Sequence, residues 1–275
     1  MKLSEYRKKI HHRLEIIKAN FKFAFHKEVA YAGNNWAGLI STTCYTLSML
    51  LFVHIIYGNT KQIVGYSQNE MLFYLFMAQL TYYFNWYISA LNIYDLITDV
   101  NKGNLDMILV KPVPSLFYLT TRNIGGFKMF VDGFPPTLAI IFSINWSALY
   151  ISSANLIYGI CIFIFGLVAL NVFQLLAALP VFWWGESESI VDLAGFIGAG
   201  SGTMIPLEGY SRPLQFILGT IIPVLIATAF STSAILGKSN APLLFFWSFA
   251  IAALAILLRN VAWKIAIRNY TSASS

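Results

Sequence analysis

The chain has 275 residues, 57% of them apolar and 11% charged, whereas soluble domains carry roughly 25% charged residues. That is too little charge to cover a soluble core of this length, so lipid must face most of the surface, and a water-soluble enzyme or domain is excluded. The net charge of +6 does not indicate nucleic acid, because eight of the 18 basic residues precede Trp36 and the others are scattered, a distribution that suits a membrane surface.

In residues 1–35, Ile10, Leu14, Ile17, Phe21, Phe25 and Val29 recur at three- and four-residue intervals. Arg7, Lys8, Lys9, Arg13, Lys18, Lys22 and Lys27 fall largely elsewhere. This pattern predicts a basic amphipathic helix lying along the inner leaflet, phenylalanines in the acyl chains and lysines toward anionic headgroups. It lacks the apolar core and small-residue cleavage site of a secretory signal, so it is expected to be retained. His11, His12 and His26 lie here as solvated surface.

A helix needs about 20 mostly apolar residues to cross a bilayer, because only a closed hydrogen-bond pattern survives in hydrocarbon. Residues 36–57 and 71–94 form the first two candidates, with polar Ile63 to Glu70 between them. His54 stands alone near the end of the first. The second is crowded with aromatics, among them Phe73, Tyr74, Tyr82, Tyr83, Trp86 and Tyr87. Packing and interface belts account for them, and the lining of a path for a bulky amphiphile is the alternative.

No charge occurs between Asp132 and Glu186, and Ser152-Ser153-Ala154-Asn155 divides that tract into spans at 129–151 and 156–184. Asp132 follows Lys128 by four residues, the spacing of a local ion pair near a helix end. Cys44 and Cys161 both fall in apolar runs and read as small packing residues, neither a disulfide nor a metal pair. A fifth span is expected at 190–205, an outer re-entrant segment at 206–237 broken by Pro206, Pro213 and Pro223, and a sixth span at 239–260. An ordinary proline-kinked crossing at 213–237 is the alternative.

Charge bias chooses between six and seven spans. With six, fifteen Lys and Arg fall inside and three (Lys61, Arg212 and Lys238) outside, whereas seven would strand Arg259, Lys264 and Arg268 outside. The expected fold is therefore all-α integral membrane, with residues 1–35 and 263–275 cytoplasmic and the transmembrane domain at 36–262.

The inner loop between spans two and three contains Gly103, Leu105-Asp106, Ile108, Leu109 and Lys111-Pro112, a short amphipathic turn closed by prolines. Apolar Leu105, Ile108 and Leu109 at helical spacing suit either a cleft on a soluble partner or the membrane surface. Acidic Glu186 and Glu188 provide a second inner turn, which is either a partner contact or a cap on the fifth helix. Farther on comes Pro206-Leu207-Glu208-Gly209-Tyr210, with Ser211 and Arg212 before Pro213.

These two motifs, in this order, resemble the permease subunits of ATP-binding-cassette type 2 exporters, although the family pattern has a proline directly after the tyrosine. The resemblance covers nearly the whole layout. It implies a cytoplasmic nucleotide-binding ATPase as partner, docked on inner-loop helices, here Gly103 to Pro112, and a second permease subunit, identical or similar. It also implies a cell-membrane location. ATP and Mg would be bound by the partner: Gly198-Ala199-Gly200-Ser201-Gly202 lacks the lysine of a phosphate loop, so no cofactor is expected on this chain. An integral membrane enzyme would need convergent His, Asp, Glu or Ser, and an ion-coupled carrier would show buried carboxylates or repeated halves; neither pattern is evident in the sequence.

Overall fold

The computed structural model describes residues 2–30, 32–185, 189, 192 and 205–270. Among them there is no strand, and Ile63 and Tyr66 form an isolated antiparallel bridge. The bridge closes the tight turn between the first two long apolar helices, with Val64 and Gly65 at positive φ.

Helix α1 (Lys2–Ala30) leads into α2 (Ala32–Asn59). Among the described residues, three helical stretches are apolar and long enough to cross a bilayer: Trp36–Asn59, Ser153–Trp184 and Ala241–Asn269. In the first, Leu51, Phe52 and Ile55 are exposed, so its outward face suits hydrocarbon.

The chain is helical from Gln68 to Asn101 as α3 (Gln68–Asn85), a π turn (Trp86–Ala90) and α4 (Leu91–Asn101). A capping box starts α3. The Ser67 side chain accepts from the Glu70 amide, and the Glu70 carboxylate accepts from the Ser67 amide. Then come α5 (Leu105–Leu109), α6 (Ser115–Thr121), α7 (Gly126–Lys128), a second π turn (Met129–Gly133) and α8 (Phe134–Ser143).

The sequence reading carried this helix to Ile151, but it ends at Ser143. Ile144 turns extended, and Asn69 clamps Asn145 by accepting from its amide and donating to its carbonyl, each at 2.7 Å. Ser152 caps α9 (Ser153–Ala178) at the expected polar divider, and Pro180 starts α10 (Val181–Trp184).

The described chain resumes at Ile205. Helix α11 (Arg212–Phe216) and a π turn (Ile217–Ile221) form one arm, and a π turn (Ile226–Phe230) with α12 (Ser231–Ile235) forms another. The arms meet at 110° across a break that contains Pro223. The last helix, α13 (Ala241–Asn269), runs past the expected end of the sixth span. The expected fifth span at 190–205 lies outside the described residues except for Asp192 and Ile205.

Glycines on α9 let the second arm nest against it. A Cβ at Gly166 would collide with the Ala227 backbone, and one at Gly159 would strike the Ile235 side chain. One apolar core at the α5 end joins α4, α5, α9, α10 and α13 through residues such as Ile97, Leu119, Leu179 and Trp263. A core at the opposite end gathers Tyr66, Tyr74, Leu207 and the second arm.

Candidate functional site

Gly103 adopts φ +71°, the left-handed conformation that ends α4 without a Cβ penalty, and its amide donates to the Val100 carbonyl. The chain reverses there into α5. Leu105 is 0% exposed and Ile108 6%, both within the chain's own core. The sequence left the stripe to a partner's cleft or to the membrane surface; here Leu105 and Ile108 pack inside the chain itself. Met107 at 66% and Val110 at 83% project instead, with Lys111 and Pro112 also exposed and Asp106 and Leu109 half-buried. Lys111 is tethered, its Nζ donating to Tyr118 Oη at 2.8 Å.

A charged cluster ties this element to its surroundings. Arg122 donates to Asp99 on α4 at 2.5 Å, and Asp95 lies 3.9 Å away. Asn123 donates through its side chain to Asp95, and the Asn92 side-chain amide donates to the Asn123 carbonyl and accepts from the Asn123 amide. Helix α1 rests on the same loop: Asn20 donates to the Thr121 carbonyl, the Arg13 guanidinium lies over Phe117, and Phe25 meets Phe127 edge-on. Its apolar stripe is therefore divided between the loop and the exterior, where Leu14 and Val29 are exposed. Glu28 accepts from the Lys128 amide at 2.9 Å; burial pushes its carboxyl above the ordinary range despite that bond and the Lys128 charge.

Asp132 lies in the second π turn and is 1% exposed. Tyr87, from the first π turn, donates to its Oδ2 at 2.8 Å, and Lys128 approaches to 3.9 Å, so the expected ion pair is present but long. Its Oδ1 is buried with no hydrogen-bond partner among the described residues. Thr42 and Tyr83 donate to the Asp132 carbonyl, and a Cβ on Gly38 would press on the carboxylate. Three helical segments thus meet at one acidic residue. Phe73, Tyr74, Tyr83 and Tyr87 are buried, and in this chain they pack.

At the opposite end, Pro206 and Leu207 are buried in a 3₁₀ turn and Glu208 accepts from Ser233 at 2.6 Å. Gln215 donates to the Leu207 and Tyr210 carbonyls, and Pro213 sits in the first turn of α11. Lys238 bridges to Glu70 and to the Gly65 carbonyl, both at 2.8 Å. Burial alone would raise the Glu70 carboxyl, but hydrogen bonds from Lys238 and Ser67 and the Lys238 charge hold it below the ordinary range. His54 meets Gln68 at 3.3 Å. Glu186 and Glu188 lie outside the described residues.

The sequence reading did not find the Arg122–Asp99 pair or the Tyr87–Asp132 contact. A run of Asp95 and Asp99 at helical spacing was the available signal for the first; π turns leave no comparable mark.

No curated protein and no solved structure matches the chain. The family model described as ABC-2 family transporter protein matches residues 43–274. With that match over most of its length, and with three apolar helices of bilayer-crossing size, the chain belongs to the ABC-2 transporter family as a membrane permease component of an ABC transporter.

Proposed function

We propose that the chain is the membrane subunit of an ATP-driven exporter in the cell membrane, with six spans, both termini cytoplasmic and α5 facing the cytosol. The transmembrane domain runs over 36–262. The bent pair within 206–237 dips in from the outer face and returns, consistent with its 110° angle and with Lys61, Arg212 and Lys238 on that side. A second permease subunit completes the path. A separate ATPase holds ATP and Mg and docks on Gly103 to Pro112, with Glu186 and Glu188 as a second contact.

The observation that carries this reading is the two-sided nature of α5. Leu105 and Ile108 root it in a core shared with α4, α9 and α13, while Met107 and Val110 stand out from the surface. A push on the exposed side is therefore transmitted to several helices together, because a packed core yields by discrete shifts rather than by continuous deformation. Arg122 links the same motion to α4, and the α1 contacts carry it to the N-terminal helix.

The test is site-directed cross-linking to the ATPase subunit in membranes, after replacing Cys44 and Cys161 with serine. Met107→Cys and Val110→Cys should cross-link, and Phe52→Cys on the lipid-facing side of α2 should not. Labelling of Lys111 from the exterior of intact cells would overturn the orientation and the docking role together.

A further inference from the structure

Arg212 opens α11 with its side chain exposed and makes no ion pair or hydrogen bond among the described residues. Its nearest acidic neighbour in sequence, Glu208, is taken up by Ser233 and Ser239. Arg212 lines a cleft of about 300 Å³ between α11, the second arm and α13. Phe216, Phe230, Leu243, Leu244 and Trp247 line it, and Phe216 meets Trp247 edge-on with centroids 6.0 Å apart.

We propose that this cleft binds an anionic phospholipid, with the phosphodiester on Arg212 and an acyl chain against the aromatic wall. Charge complementarity selects the headgroup: guanidinium matches phosphate oxygens in bidentate geometry, and among the described residues no carboxylate pairs with it. The apolar wall selects a lipid over a free anion, because a soluble phosphate would meet only an exposed arginine and leave the cleft empty. Trp247 lies about 9 Å along α13 from its start at Ala241, the depth at which an interfacial tryptophan meets the boundary between headgroups and chains. A lipid seated here touches Phe230 on the second arm as well as α13, and so couples the bent pair to the last helix. The site does not depend on the ATPase-docking reading; the proposed topology only assigns it to the outer leaflet.

The experiment uses the full chain in phosphatidylcholine nanodiscs containing increasing fractions of phosphatidylglycerol with brominated acyl chains, followed by quenching of tryptophan emission. Trp247→Phe identifies the reporter by removing the saturable component. Wild type should saturate at low phosphatidylglycerol fraction, and Arg212→Lys, which keeps the charge but loses the fork, should saturate at a fraction between those of wild type and Arg212→Gln. Arg212→Gln should need about tenfold more than wild type, the loss expected when a charge-assisted bond of about 1.4 kcal/mol is removed. Brominated phosphatidylcholine quenching equally well at equal fraction, or an unchanged Arg212→Gln titration, would overturn the site. Displacement by soluble glycerol phosphate would assign Arg212 to a free phosphate ligand and overturn the lipid assignment.

Discussion

Leu105 and Met107 are two residues apart in one short helix, yet substitution should separate two properties of the protein. Leu105 is 0% exposed within the core at the α5 end. Leu105→Ala removes buried carbon and leaves a cavity, a change that costs about 2–5 kcal/mol. Even the lower bound lowers the folded-to-unfolded ratio roughly thirtyfold. Met107 is 66% exposed, and complete burial of a methionine side chain is worth about 1.5–3 kcal/mol, so Met107→Ala should cost less than about 1 kcal/mol. Thermal unfolding of the isolated chain in one lipid nanodisc preparation, followed by circular dichroism, should show a depressed transition for Leu105→Ala and an almost unchanged one for Met107→Ala. Binding of the ATPase subunit should respond in the other order: Met107→Ala weakens it severalfold although the fold is intact. Equal stability of the two variants would refute the assignment of faces, and unchanged ATPase affinity in Met107→Ala would refute the docking edge.

Arg122→Gln should destabilise the chain by about 3–5 kcal/mol, because the largely buried Asp99 loses its partner; adding Asp99→Asn should recover part of the loss in the same unfolding assay. At the opposite end, the Glu70–Lys238 pair should contribute up to about 1 kcal/mol, read as the coupling in a double-mutant cycle of Glu70→Gln and Lys238→Met. The Glu70 carboxyl is held below its ordinary range, so this stabilisation is present above the unfolded carboxyl pKa and should vanish as pH falls through the lower folded value. Glu28 has the opposite sign. Its raised carboxyl disfavours the charged form, so the hold of α1 on the loop should weaken as pH rises through the carboxyl range, and Glu28→Gln should remove that dependence of unfolding on pH.

Membrane residence was legible from composition, because charge too sparse to face water has one physical explanation. The polar breaks were also legible where side chains satisfy backbone locally, as Ser152 does at the start of α9 and Ser67 and Glu70 do at α3. The direction of α5 was not. Helical spacing of Leu105, Ile108 and Leu109 shows that an apolar stripe exists, and only the tertiary packing of α9 and α13 shows that it is already occupied. The end of α8 at Ser143 escaped for a similar reason, since the Asn69–Asn145 clamp joins residues far apart in sequence. Glu208 was singled out from a motif, but its bond to Ser233 depends on the chain doubling back at the bent pair.

The knot at Asp132 also bears on the order in which the protein is made. A buried acidic residue needs donors: Tyr87 donates to the Asp132 carboxylate and Thr42 and Tyr83 to its backbone carbonyl, and all three belong to segments that precede it in the chain. A ribosome delivering residues from the N-terminus will have placed those donors before Met129–Gly133 emerges. The segment then meets a prepared polar surface and does not wait alone in hydrocarbon. A rearranged gene that moved 126–143 ahead of 36–101 would present Asp132 before its donors, and its product should insert less efficiently than the natural order.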